Sequence, residues 1–261
     1  MSGKAGMTGM RLHQALAFSS GMMRVPRSEA VFWPGCALMG LDGALLEKTL
    51  TVLGRAEPSI RLCTCCCGQP TVYLFPEKAE ARRKKLLARL HKQGVKRIYT
   101  GCPNCTVQLK ETGEFQVISI WPVLAEHIRK EDLKPAEGAY IWHDPCPTRQ
   151  DTVQQTAVRQ LMDLAGCDYT EPAHSGCSTT CCGNFHMMHT LRPETSQQMK
   201  QRRLSEFPAD RTILTSCEGC LGSFRGAGRQ GLHLLEFLFG KSTARGWGNR
   251  FKTTFQQNYQ K

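Results

Sequence analysis

Residues 61–70 read RLCTCCCGQP, and this stretch crowds four cysteines into the five positions from Cys63 to Cys67 and follows them with Gly68. Adjacent thiols on an ordinary backbone point in different directions and cannot easily join one another as disulfides. The chain contains 14 cysteines in 261 residues. In a long chain without an export signal, clustered cysteines are typical of metal binding or redox chemistry, and a secreted disulfide framework is not expected.

The cysteine pattern occurs twice. Cys66 and Cys181 lie 115 positions apart, and the same offset joins Cys102 to Cys217. Each half contains one cysteine, then a C-C-G triplet, then a C-x-x-C pair, which indicates an internal duplication. The ten repeated thiols are Cys36, Cys66, Cys67, Cys102, Cys105, Cys146, Cys181, Cys182, Cys217 and Cys220. The others, Cys63, Cys65, Cys167 and Cys177, lie outside the repeat, and we expect them to be bystanders.

Strand-like and helix-like segments alternate around these cysteines. Short apolar runs that stop at glycine or proline predict strands, and segments with helix start and stop signals predict helices. The predicted strands cover residues 30–33, 95–100, 117–120, 139–142 and 211–215, and the predicted helices cover residues 45–53, 76–93, 156–165 and 193–206. This alternation predicts two tandem α/β domains, each a small parallel sheet flanked by helices.

The charged segment EDLKPAEG, residues 131–138, is broken by proline and glycine and predicts the boundary between the domains. We therefore expect a first domain over residues 30–134 and a second over residues 135–240. Residues 1–29 are expected to form a flexible extension, and residues 241–261 a basic tail that is disordered unless a partner binds it.

The formal charge of +12 lies mostly in the two ends of the chain. Residues 1–30 carry +3 and residues 241–261 carry +5, so the body is nearly balanced. A nucleic-acid partner is therefore not expected. The sequence contains no run of about 18 apolar residues and no apolar core of a secretory signal, so we expect a cytoplasmic protein, or one held at a membrane by a partner.

The predicted strands bring the repeated cysteines to the carboxyl edge of each sheet, where open α/β sheets bind their ligands. Both C-x-x-C pairs are expected to begin helices, whose amino ends favour thiolate over thiol. Gly68 and Gly183 would let the backbone turn sharply beside the paired cysteines. A C-C pair suits a polynuclear cluster better than a single tetrahedral ion.

The doubled motif resembles the cysteine-rich CCG domains of the heterodisulfide reductase B subunit. The resemblance includes the sequences CCGQP at residues 66–70, WPGC at 33–36 and HDPC at 143–146. Similar domains occur in the iron–sulfur subunits of anaerobic glycerol-3-phosphate dehydrogenase and of the lactate-utilisation oxidases. The resemblance covers residues 30–240. One departure is the segment NFHMMH, residues 184–189, which replaces a glycine-rich continuation and introduces His186 and His189 as candidates for proton relay.

The resemblance implies two [4Fe–4S] clusters of the non-cubane kind, each held by the five repeated cysteines of one half. The implied ligand sets are Cys36, Cys66, Cys67, Cys102 and Cys105 for the first cluster, and Cys146, Cys181, Cys182, Cys217 and Cys220 for the second. It also implies an oxidoreductase subunit that passes electrons to a disulfide or thiol substrate or to a partner. The expected partners are a flavoprotein or a ferredoxin-like iron–sulfur protein, since the sequence contains no C-x2-C-x2-C run.

The alternative is a zinc-stabilised binding protein that uses its basic tails for nucleic acid or a protein partner. Zinc takes four ligands, whereas each half offers five cysteines separated by gaps of about thirty residues, which favours iron–sulfur. His143, three positions before Cys146, is expected to hydrogen-bond and hold its loop.

Overall fold

A computed structural model describes residues 3–243 and 245–256. The contacts within it divide the chain into two compact units. The first unit comprises residues 1–119 and 244–261, and the second comprises residues 120–243. Each unit contains one four-stranded sheet whose paired strands are all parallel.

Short strands alternate with helices along both units. The strands of the described residues are β1 (Ala30–Trp33), β2 (Arg61–Leu62), β3 (Arg97–Thr100), β4 (Gln116–Ser119), β5 (Ala139–His143), β6 (Asp168–Thr170), β7 (Thr212–Thr215) and β8 (Gly231–His233). The α-helices are α1 (Gly3–Ala17), α2 (Gly43–Ala56), α3 (Gln69–Leu74), α4 (Ala79–Lys92), α5 (Pro103–Lys110), α6 (Ile120–His127), α7 (Thr152–Leu164), α8 (Met188–Leu191), α9 (Pro193–Leu204), α10 (Glu218–Arg225), α11 (Leu234–Phe239) and α12 (Trp247–Phe255).

The two sheets have the same strand order, β2-β1-β3-β4 in the first unit and β6-β5-β7-β8 in the second. The central strand β1 is apolar and buried along its whole length, as a strand covered on both faces must be. Because all strands of a sheet run the same way, their carboxyl ends meet at one edge. The predicted fold of two tandem α/β domains with small parallel sheets is confirmed.

The helices form where the sequence supplies both an apolar face and end signals. Helix α4 has an acidic side chain in its first turn and basic side chains in its last, which complement the helix dipole. It buries Leu86 and Leu90, four positions apart, and exposes the remainder of a highly charged sequence. No helix of the described residues combines the length and apolar character that a membrane crossing requires.

Strands β2 and β6 escape prediction because they are two and three residues long and are not apolar runs. β2 pairs with β1, and β6 pairs with β5, so each forms one edge of its sheet. Pairing with a neighbour, and not local sequence, therefore defines them as strands. In β6, the first and third residues are exposed.

The domain boundary differs from the predicted one. The units divide directly between β4 and α6, at Ser119 and Ile120, and not between residues 134 and 135. Helix α6 packs against α7, so it belongs to the second unit. No signal in the sequence marks this point, because no polar linker separates the strand from the helix.

The described parts of the two terminal segments contain helices that were not predicted. Residues 3–17 of the expected flexible extension form α1, which buries Gln14 and Ala17 completely. Residues 247–255 of the expected basic tail form α12, which packs on α2 of the first unit and buries Arg250. Residues 244 and 257–261 of that tail lie outside the described residues.

Candidate metal centres

The five repeated cysteines of the first unit converge at the carboxyl edge of its sheet. Cys36 follows β1, and Cys102 follows the adjacent strand β3 and caps the amino end of α5, as predicted for the C-x-x-C pair. The Cys66 Sγ lies 4.0 Å from the Cys36 Sγ, and the Cys105 Sγ lies 3.3 Å from the Cys67 Sγ. Five thiols that are distant in sequence therefore form one group, which we call the first thiol group.

Two glycines shape this group. Gly68 has φ of 86°, a left-handed conformation that favours glycine, and its N–H donates to the Cys66 Sγ over 3.5 Å. Gly35 also has positive φ, 85°, and a Cβ added there would lie 2.9 Å from the Cys102 Cβ. The same Cβ would lie 3.2 Å from the Cys105 Sγ. The chain therefore approaches the thiols more closely than any side chain at position 35 would allow.

The second unit repeats the arrangement. Cys146 follows β5, and Cys217 follows β7 and caps α10. Gly183 has φ of 88°, and its N–H donates to the Cys181 Sγ over 3.3 Å. The Ser223 hydroxyl donates to the carbonyl of Cys182 over 2.6 Å and fixes the pair. The members of this second thiol group are Cys146, Cys181, Cys182, Cys217 and Cys220.

Within each group, hydrogen bonds between sulfurs lower the pKa of some thiols and raise the pKa of others. Hydrogen bonds from Cys36 and then Cys67 hold the pKa of Cys66 well below its usual value. Hydrogen bonds from Cys146 and then Cys182 lower the pKa of Cys181 to about 2. The pKa of Cys36 is raised by its hydrogen bond to Cys66 and by burial. Crowded thiols thus hold protons that a bound cation would displace.

A ring nitrogen of His143 lies close to the second thiol group. His143 is fully buried, and a ring nitrogen lies within 4.8 Å of the sulfurs of Cys182 and Cys220. Burial, and then the charge of Arg203, lower its pKa to about 3, so the ring is neutral. The Arg203 Nε–H donates to the His143 Nδ1 over 3.1 Å, which places the ring proton on Nε2.

The His143 Nε2 is buried and has no hydrogen-bond partner in the protein. Trp33 occupies the equivalent position, three residues before Cys36, and its Nε1 is likewise buried and without a partner. Unsatisfied buried donors are rare in proteins and call for an acceptor. An acceptor such as a thiolate or a sulfide would satisfy each of these two N–H groups. The hydrogen bond predicted for His143 is present, with Arg203 as its partner, and the neighbouring residue adds further bonds that hold the loop.

That neighbour, Asp144, carries no sequence signal of its own and was not predicted. Its carboxylate accepts hydrogen bonds from the Trp142 Nε1 (2.8 Å), the Gly176 N–H (2.7 Å) and the Arg159 guanidinium (2.8 Å). Its carbonyl accepts a hydrogen bond from the Thr179 hydroxyl over 2.8 Å. Asp144 therefore ties the loop before Cys146 to the loop before the second C-C-G triplet.

A buried arginine accompanies each thiol group. Arg203 is fully buried, and its charge acts on Cys220 and Cys182. Arg250 of α12 is 2% exposed, its charge acts on Cys36 and Cys66, and no carboxylate of the described residues pairs with it. A buried cation without a carboxylate partner is costly unless an anion lies nearby. Arg203 has such a partner in Glu206, at 3.0 Å, whereas Arg250 has none among the described residues, so Arg250 suits a centre that carries negative charge.

Helix α1 joins the first thiol group through a polar relay. The Arg250 Nη1 lies 3.0 Å from the His13 Nε2, and the His13 Nδ1 lies 2.8 Å from the Gln14 Nε2. The Gln14 Nε2 in turn lies 3.7 Å from the Cys66 Sγ. No sequence signal marked these residues, because they come from the two ends of the chain.

The non-repeated cysteines lie beside the groups. Cys63 and Cys65 are buried and hydrogen-bonded to each other, and the charge of Arg89 acts on Cys65. Cys177 is exposed and lies 3.8 Å from the Gln155 Oε1. Burial raises the pKa of Cys167 to about 12. Cys63 and Cys65 share a buried cluster with Cys66 and Cys105, so their role as bystanders stays a prediction.

His186 and His189 are placed differently from His143. His186 stacks on the adjacent Phe185 ring, at 3.7 Å between centroids, with a left-handed φ of 55°. The His189 Nε2 lies 3.1 Å from the Thr190 hydroxyl. The group of metal-capable side chains found in the described residues contains His143 and neither of these two.

The fold and its centres define a tandem α/β protein with one five-thiol group in each unit. The chain belongs to the CCG cysteine-rich domain family, which matches residues 30–110 and 140–225. It is 23% identical over 225 residues to the B subunit of the fumarate reductase (CoM/CoB) of Methanothermobacter marburgensis, covering 80% of this chain and 44% of that protein. It is 24% identical over 162 residues to an uncharacterised iron–sulfur protein of Methanococcus maripaludis, covering 59% of this chain and 32% of that protein.

The chain therefore spans less than half the length of these two relatives. Among solved structures, the aspartate racemase of Picrophilus torridus aligns with 88% of this chain and 96% of its own. Its TM-score of 0.35 and sequence identity of 11% are too low to show a shared fold.

Proposed function

We propose that each unit binds one [4Fe–4S] cluster through its five repeated cysteines, and that the chain serves as an iron–sulfur subunit of a redox complex. The observation that carries this proposal is the convergence of five thiols at the carboxyl edge of each sheet. The first group would use Cys36, Cys66, Cys67, Cys102 and Cys105, and the second Cys146, Cys181, Cys182, Cys217 and Cys220.

Three features of the chain suit an anionic sulfur-rich cluster better than a zinc ion. Five thiols exceed the four ligands of a tetrahedral zinc site. The unpartnered N–H groups of Trp33 and His143 match the hydrogen bonds that tune cluster sulfurs. Arg203 and Arg250 supply buried positive charge beside the two groups.

His143 itself is not proposed as a ligand. Its Nδ1 is taken by the Arg203 guanidinium, so the proton lies on Nε2. A protonated ring nitrogen donates to a sulfur and does not coordinate iron or zinc. The ligand set therefore remains five cysteines.

When bound, a cluster of this kind would accept and release single electrons. The chain would hold it, exclude water from it and stabilise its charge. Cys66, Cys105, Cys182 and Cys220 are almost fully buried, which limits solvent access. Gly35 and Gly68 would allow the close approach of the backbone in the first unit.

We propose that the electrons pass to a disulfide substrate, which two electrons and two protons would reduce to two thiols, or to a partner, which would be a flavoprotein or a ferredoxin-like iron–sulfur protein. Support comes from the relationship to a protein named as one subunit of a fumarate reductase (CoM/CoB).

Anaerobic purification, followed by iron, acid-labile sulfide and zinc analysis and by electron paramagnetic resonance, tests the proposal. We expect a brown protein with equal iron and sulfide. A colourless protein with stoichiometric zinc and no sulfide would support the zinc-stabilised alternative instead. An added low-molecular-weight disulfide should change the spectrum of the reduced protein if the substrate is a disulfide, and leave it unchanged if the chain only relays electrons.

A further inference from the structure

The first unit contains a cavity of about 540 Å³ that the proposed clusters do not use. Four arginines from three segments line it: Arg24 and Arg27, Arg61, and Arg89. No aspartate or glutamate is among its lining residues. The cavity also includes Thr64, which lies between the bystander cysteines. A concentration of one sign of charge in a concave site raises the local concentration of counter-ions.

None of the four arginines forms an ion pair within the described residues, and the hydrogen bonds of Arg24 and Arg61 go to neutral groups. The Arg24 Nε–H donates to the carbonyl of Gly21 over 3.3 Å, and its guanidinium lies 4.4 Å from the Phe255 ring centroid. Arg61 donates to two backbone carbonyls at 3.4 Å and 3.0 Å. The guanidinium groups therefore keep N–H donors that no carboxylate of the described chain satisfies.

An independent observation comes from α12. Thr254 lines the cavity, is 1% exposed, and its hydroxyl is buried without a hydrogen-bond partner. A buried hydroxyl without a partner is unusual in a folded protein. At this position it would complete the coordination of a ligand oxygen. The adjacent Thr253 is also buried and lines the same cavity.

We propose that this cavity binds a small phosphate-bearing anion. The planar guanidinium fork matches the geometry of phosphate oxygens, and four such groups favour a ligand with at least two negative charges. The volume lies within the usual range of small-molecule sites and exceeds what one inorganic phosphate fills. An organic phosphate or a diphosphate therefore fits best.

The site depends on segments outside the domain-family match. Residues 20–27 and 253–256 contribute to its lining, whereas the family match covers residues 30–110 in this unit. The anion site is thus a property of this chain and not of the domain family. It does not depend on whether the thiol groups hold iron or zinc.

Isothermal titration calorimetry with inorganic pyrophosphate tests the proposal on the full chain as purified. We expect saturable binding that weakens as salt is raised. Arg27→Gln with Arg89→Gln should weaken binding at least about tenfold, because two charge-assisted donors are lost. Arg27 is exposed and Arg89 is half-buried, so folding should survive both changes. Thr254→Val should weaken binding by about threefold to tenfold through loss of one neutral donor.

The matched control is Arg83→Gln with Lys84→Gln, which removes the same charge from the exposed face of α4, outside the cavity. Its affinity should equal that of the unmodified chain. Equal affinities for both double variants, or no binding at low salt, would overturn the proposal. Binding of a single-stranded oligonucleotide much more tightly than pyrophosphate, with loss in the Arg27 and Arg89 variant, would overturn it in favour of a nucleic-acid site.

Discussion

Arg203 donates its Nε–H to the Nδ1 of His143 over 3.1 Å, and both side chains are fully buried beside the second thiol group. This hydrogen bond fixes the tautomer of the histidine and leaves the Nε2–H without a partner in the protein. In the first unit the Trp33 Nε1–H holds the equivalent place. At equivalent positions of its two repeats, the chain therefore buries one N–H donor without a partner, each from a different residue type.

Replacing His143 should change the second centre and leave the first unaltered. We expect His143→Phe to lower the reduction potential of one cluster by roughly 50 mV, because loss of a hydrogen bond to sulfur disfavours the more negative reduced state. Redox titration followed by electron paramagnetic resonance measures this shift. Trp33→Phe should produce a similar shift in the other cluster, and His189→Phe should shift neither. Unchanged potentials in both of the first two variants would contradict the assignment.

A methyl group at position 35 should disturb the first centre. Gly35→Ala places a Cβ 2.9 Å from the Cys102 Cβ at a residue with φ of 85°. We expect loss of the metal from this unit, and thus about half the iron of the unmodified chain. The control is Gly94→Ala, which has a φ of 77° but no atom within 4 Å of the added carbon.

Gly94→Ala measures the effect of a side chain at a positive φ without steric contact with the thiols. Gly94→Ala should cost about 1 kcal/mol of stability and keep its full iron content. Equal iron in the two glycine variants would show that position 35 does not constrain the centre.

Removing Arg159 should destabilise the second unit strongly. The side chain of Asp144 is only 2% exposed, and Arg159→Met would leave its carboxylate without a charged partner. We expect a loss of roughly 3–5 kcal/mol at neutral pH, measured by urea unfolding. Arg211→Met, which removes the ion pair with the exposed Asp168, should cost less than about 1 kcal/mol.

The effect of Arg159→Met should also depend on pH. Burial alone would raise the pKa of Asp144, but hydrogen bonds from Arg159 and Trp142 outweigh it and hold the pKa below its usual value. The stability that Asp144 contributes is therefore present above the unfolded pKa of about 4 and is lost as the pH falls through the lower folded pKa. Without Arg159 burial dominates, so the gap between the two proteins should narrow from pH 7 toward about pH 4. A constant gap would contradict this role for the carboxylate.

The sequence predicted those features that recur in it. The 115-residue offset identified eight of the ten cysteines that meet in two groups, and Cys36 and Cys146, 110 positions apart, complete the repeat. The apolar run of β1 marked the strand that positions Cys36. The C-x-x-C pairs begin helices as predicted, with Cys102 and Cys217 at the N-cap positions of α5 and α10.

Features that depend on packing could not be predicted in the same way. Arg250 and Gln14 reach the first thiol group from opposite ends of the chain, where composition suggested disorder. Asp144 is one residue from His143, and only the structure distinguishes which of them holds the loop. The sequence did mark Trp33 and His143, whose ring nitrogens have no hydrogen-bond partner, because each residue precedes the first cysteine of a repeat by three positions.

The most direct test of the central claim is the iron and acid-labile sulfide content per chain in matched cysteine variants. Two [4Fe–4S] clusters predict about eight iron atoms in the unmodified chain, and about four in Cys66→Ser or Cys181→Ser. Cys63→Ser and Cys177→Ser, which alter bystander thiols next to each group, should retain all of the iron. Full iron in Cys66→Ser together with halved iron in Cys63→Ser would contradict the account.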